Sequence, residues 1–147
     1  MIVNHNKILI LCSKALTPII LLFGFYLQFN GESSPGGGFQ SGIILAVPFM
    51  VLTIINGHDF VSNHLISQKS CIKIAITGIY IYILTGLAPI FFGGNFLEYG
   101  VLLLNDVLGH HLGIFLIEIG VCMTIFASML MIFLSLYKYA IKNLDNK

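Results

Sequence analysis

Charge is what this sequence has least of. Of its 147 residues only 9% are Asp, Glu, Lys or Arg, against roughly 25% in an ordinary globular domain. So few charges cannot cover a water-exposed surface, which excludes a soluble globular domain. Disorder is excluded too, because 57% of the residues are hydrophobic and disordered chains are poor in them. No basic cluster exists and the net charge is +1, so a nucleic-acid partner is disfavoured. Cysteine is scarce. Cys12, Cys71 and Cys122 are odd in number, widely spaced and form no CxxC; they read as small apolar residues in or near membrane helices. There is no Gly-rich phosphate loop with a Lys, no nucleophile elbow and no HExxH. His110-His111 is interfacial and lacks the Cys or carboxylate partners of a metal site. No catalytic residue, cofactor or metal is therefore expected.

What remains is an integral membrane protein, with a mean hydropathy of +0.96. A spanning helix needs about 20 largely apolar residues. Four runs qualify, at about 8–29, 39–56, 74–92 and 112–137. They are continuous rather than alternating, which predicts an all-α bundle and not a barrel. Polar stretches separate them, and no repeat or linker divides the chain, so 1–147 reads as a single domain. A cleavable signal is rejected, because the first run has no small-residue cleavage site. All seven basic residues are lysines. With four spans, Lys7, Lys14, Lys69, Lys73, Lys138, Lys142 and Lys147 fall on one side of the membrane. The opposite loops hold Glu32, Glu98 and Asp106 and no lysine. The positive-inside rule then puts both termini in the cytoplasm.

Three features do not belong in lipid. Glu118 lies in the fourth run, seven residues after His111 and so about 10 Å into the apolar layer. It shares a helical face with Cys122, and is either an interhelical hydrogen-bonding group or part of a proton or cation path. Lys14 interrupts the first run; it sits near the inner edge, roughly 12 Å from the depth of Glu118, and reads as a snorkelling anchor rather than an ion partner. Ser34 is placed to cap a helix beginning at Pro35, and Gly36, Gly37 and Gly38 then weaken its first turn by about 1 kcal/mol each relative to Ala. Gly38, Gly42 and Ala46 make a small-residue stripe for a neighbouring helix; an unwound polar site is the other reading. In the third run Gly78, Tyr82, Thr85 and Pro89 share a face that suits packing. Pro18 and Pro48 should bend their helices.

The stretch Leu22-Phe23-Gly24-Phe25-Tyr26-Leu27, followed by Gly31-Glu32-Ser33-Ser34-Pro35-Gly36-Gly37-Gly38-Phe39-Gln40-Ser41-Gly42, resembles the MnhB/MrpB-type component of the Mrp/Mnh multisubunit cation/proton antiporters. That family carries Gly-His-x-x-Pro-Gly-Gly-Gly-Phe-Gln-Gly-Gly at this junction. Leu84-Thr85-Gly86, Phe91-Phe92-Gly93, His110-His111-Leu112-Gly113-Ile114 and Glu118-Ile119-Gly120-Val121 extend the likeness over nearly the whole chain. Two positions depart from the pattern: Glu32 stands where the family has His, and Ser41 replaces a Gly. The resemblance implies an accessory subunit in the bacterial inner membrane. Its partners would be the other subunits of an assembly that exchanges Na⁺, or another monovalent cation, for H⁺ across the lipid bilayer. Glu118, Glu32 and Lys14 are the candidate pathway residues, and Pro35, Gly36, Gly37, Gly38 and Gly42 form a packing and turn motif. Membrane-bound hydrogenase subunits share the module, so a redox-driven complex is the alternative.

Overall fold

The computed structural model describes residues 7–31, 36–103 and 105–145. Five α-helices follow in order: α1 (Lys7–Phe29), α2 (Gly38–Asn56), α3 (His58–His64), α4 (Gln68–Phe91) and α5 (Asp106–Asp145). A 3₁₀ turn, Tyr99–Leu102, lies between α4 and α5. Among the described residues there is no strand. Helices α1, α2, α4 and α5 are each long and apolar enough to cross a membrane. Helix is the form such runs must take, because lipid offers no partner to an unpaired backbone group.

The first two spans match the apolar runs to within a residue. The other two are longer than expected, because capping side chains outside the apolar run start them early. Ser67 accepts a hydrogen bond from the Ser70 amide at 3.2 Å, so α4 begins at Gln68 rather than near Ile74. The Asn105 side chain accepts one from the Val107 amide at 3.1 Å, so α5 begins at Asp106 rather than Leu112. At its other end α5 continues to Asp145 instead of stopping at Tyr137. The polar connection after α2 is also more ordered than expected. Gly57 adopts φ +89°, donates its amide to the Thr53 carbonyl, and turns the chain directly into α3. That left-handed backbone favours glycine.

Helix α5 is the spine. It packs along α4 on one side and α2 on the other, while α1 rests mainly on α2. The main buried cluster joins Cys71 with Ala127, Leu130 and Leu134, and is walled by Phe49 and Met50 of α2 and Ile74 and Ala75 of α4. An edge-to-face pair, Phe49 with Phe126 at 5.5 Å, ties α2 to α5; such pairs add about 0.5–1.5 kcal/mol beyond area burial. Helix α1 buries only Ser13, Gly24, Leu27 and Gln28.

Glycines bring these helices close. A Cβ on Gly78 would lie 2.6 Å from the Gly120 carbonyl, and one on Gly120 would lie 2.8 Å from the Gly78 carbonyl. Helices α4 and α5 therefore cross glycine on glycine. The expected packing face of the third span is real: Gly78, Thr85 and Pro89 are buried along it, while Tyr82 keeps 44% of its surface. In the 3₁₀ turn, the Tyr99 ring lies on the bare face of Gly113 near the start of α5. Burial there, with a smaller contribution from Tyr82, pushes the Tyr99 phenol above its ordinary range.

Candidate functional site

The site is built where the α1–α2 turn meets α5. Helix α2 starts at Gly38, with Gly37 in the N-cap position at φ +82°. The anticipated cap at Ser34 and first residue Pro35 lie outside the described residues. Only Gly38 of the three glycines is helical. Gly36 and Gly37 form the extended entry, so the cost of three glycines inside one helical turn does not arise. Gly37 needs no side chain, because its left-handed backbone disfavours one.

The glycines of this segment have two different surroundings. Gly38 and Gly42 make the close helix contact. A Cβ on Gly38 would overlap the Glu118 backbone carbonyl, and one on Gly42 would sit 2.7 Å from the Cys122 carbonyl. Ala46, fully buried, continues the stripe. Gly37 belongs instead to the unwound polar end of α2. A Cβ there would come within 2.9 Å of Glu118 Oε1, and one on Gly31 would overlap the Glu118 carboxylate. The carboxylate thus lies against the bare backbone of Gly31 and Gly37, which adjoin one another.

This placement has an electrostatic sense. The first amides of a helix lack intrahelical partners and carry the positive end of its dipole. Glu118, half-buried, brings its carboxylate to that end of α2. A carboxylate there is favoured by up to about 2 kcal/mol in a partly buried geometry. Its place at the turn also explains how an acidic residue is accommodated in the fourth apolar run. It meets a polar helix end, not hydrocarbon.

A second polar line lies one turn deeper and was not anticipated. Ser41, fully buried, donates its hydroxyl to Gln28 Oε1 at 2.6 Å, with the Gly38 carbonyl 3.0 Å away. The buried Cys122 of α5 lies beside Ser41. Gln28, Ser41 and Cys122 therefore link α1, α2 and α5 just below Glu118. Gln28 is 6% exposed, and its Nε2 has no hydrogen-bond partner among the described residues. The signal was an amide inside an otherwise apolar first run, opposite a Ser at a family Gly position.

The remaining candidates separate. Lys14 is exposed on α1, near the end of the helix away from the turn, about 22 Å along the axis from Phe29. The structure does not bring it to Glu118. Glu32 lies outside the described residues. His110 donates from Nδ1 to the Asp106 backbone carbonyl at 2.9 Å, and sits at the exposed start of α5. Among the described residues no group of three His, Cys, Asp or Glu could hold a metal.

Comparison with known proteins covers most of the chain. The family model described as a domain related to the MnhB subunit of Na⁺/H⁺ antiporters matches residues 8–131. An antiporter subunit named mnhB2 from Staphylococcus haemolyticus (strain JCSC1435) is 33% identical over 137 residues, covering 90% of this chain and 95% of that protein. A Na⁺/H⁺ antiporter component of the same B type from Bacillus subtilis (strain 168) is 32% identical over 132 residues, covering 83% and 91%.

Proposed function

We propose that this chain, which belongs to the family of domains related to the MnhB subunit of Na⁺/H⁺ antiporters, is an accessory membrane subunit of a multisubunit Na⁺/H⁺ antiporter. It helps to form or support the ion path and catalyses no bond-breaking reaction. Its partners are the other subunits of that assembly, and its location is the bacterial inner membrane. The observation that carries the reading is the Glu118 carboxylate, seated against Gly31 and Gly37 at the open end of α2. A titratable group in a membrane span, beside backbone rather than packed away in apolar side chains, is suited to hold and release a proton or cation. Lys14 and Glu32 remain candidate pathway residues, Lys14 at the opposite end of α1. The redox-driven alternative is not favoured, because the relatives carry antiporter names.

Everted vesicles from cells lacking other antiporters test this reading. Omitting this chain while expressing its neighbouring subunits is expected to abolish Na⁺-dependent dissipation of the pH gradient, and returning it is expected to restore exchange. The purified chain alone in liposomes is expected to move neither ion. Wild-type exchange without the chain, or flux through the chain by itself, would contradict an accessory role.

The seven-to-none distribution of lysines supports cytoplasmic termini. Glu98 lies exposed in the loop between α4 and α5. With the exposed Cys12 replaced by Ser, a Glu98→Cys variant is expected to react with an impermeant maleimide added to whole cells. Labelling confined to everted vesicles would reverse the orientation.

A further inference from the structure

The lysine-rich end of the bundle holds a cleft that the antiporter reading does not use. It has a volume of about 330 Å³ and lies between α3, the start of α4 and the last turns of α5. Lys138 and Lys142 stand on successive turns of α5 and both line it, with Ser135 one turn deeper. His58 of α3 faces them, its Nδ1 3.3 Å from Asp59, whose own side chain is 98% exposed. The floor is apolar, made by Met131 and the buried Leu134. The cleft therefore grades from two ammonium groups at its rim to a hydrocarbon base within about two helical turns.

That gradient is the shape of an amphiphile's head and neck. Lysines three to four residues apart on a helix project together, so two positive charges converge on one small volume. At a membrane boundary such a pair attracts anionic headgroups. A free inorganic anion would leave the Met131 and Leu134 floor unfilled, whereas the glycerol and first methylenes of a lipid would cover it. We propose that this cleft binds the phosphate headgroup of an anionic phospholipid, with Lys138 and Lys142 as its charge partners.

The test is calorimetric titration of the purified complex in neutral detergent. Short-chain phosphatidylglycerol, phosphatidylcholine and inorganic phosphate are the three probes. Wild-type complex is expected to show a saturable phosphatidylglycerol site, and Lys138→Gln/Lys142→Gln should weaken it roughly thirtyfold. Lys142→Gln alone should weaken it roughly fivefold; its side chain is exposed, so this variant reports on the site even if the double variant assembles poorly. Lys73→Gln, at the same end of the bundle but outside the cleft, should leave the site intact. Equal affinity in wild type and both cleft variants would overturn the proposal. So would phosphatidylcholine binding as tightly as phosphatidylglycerol, or inorganic phosphate occupying the site at the same concentration.

Discussion

Glu118→Gln is expected to leave the complex assembled and to slow Na⁺/H⁺ exchange roughly tenfold or more. Glutamine keeps the volume of the side chain, so its contact with Gly31 and Gly37 is preserved. What it removes is the negative charge and the titratable proton. The attraction between a carboxylate and a helix N-terminus reaches about 2 kcal/mol when partly buried, and each 1.4 kcal/mol is a factor of ten. Glu118→Asp keeps the charge but withdraws it by one methylene from Gly31 and Gly37, and should fall between Gln and wild type. Glu118→Ala removes both charge and volume and should add a loss of subunit retention. Co-purification of the neighbouring subunits and exchange in everted vesicles are measured on the same membranes. Assembly and wild-type rates in both Gln and Ala variants would remove Glu118 from the ion path. Failure of assembly in both would make it a purely structural group.

The second large effect is expected at Gly38. Alanine normally favours a helix over glycine by about 1 kcal/mol. Here the added methyl meets the Glu118 backbone carbonyl, and backbone cannot turn aside as a side-chain tip does. The two helices must separate, at the roughly 1–3 kcal/mol or more of an overpacked core. Gly38→Ala is therefore expected to lower the melting temperature of the complex and its yield, and Gly38→Leu to prevent its assembly. Gly36→Ala is the contrast. Among the described residues a Cβ there meets only Leu27 Cδ2 at 3.5 Å and Gln40 Oε1 at 3.7 Å, which is ordinary contact. It should stay within about 0.5 kcal/mol of wild type. If the two alanine variants were equally stable in thermal unfolding, the close crossing of α2 on α5 would be wrong.

Much of this was legible in the sequence. The four spans are visible because apolar runs of spanning length have one backbone solution in lipid. Glu118 is visible because an acid in such a run is rare. The small-residue stripe Gly38, Gly42 and Ala46 is visible because its spacing is helical. The helix ends were less legible: capping by Ser67 and Asn105 lies outside the apolar pattern, so α4 and α5 run past it. Ser34-Pro35 satisfies every local rule for a helix beginning but lies outside the described residues, among which Gly37 takes the N-cap position of α2. The Gly78–Gly120 crossing and the Gln28–Ser41–Cys122 line depend on which helices are neighbours. No spacing within one segment reports that α5, not α1, lies against both α2 and α4.

The glycine crossings also restrict how the molecule can move. Helix α5 meets α2 at Glu118 and Cys122, and α4 at Gly120 and Thr124, so it is held on two sides at one level. The next residues on the Gly120 face, Leu116 and Thr124, lie about one turn away, about 5.4 Å, and each carries a Cβ that the seat against Gly78 does not admit. Slip of α5 along α4 is thereby disfavoured. Relative displacement is left to α1, with its few buried residues.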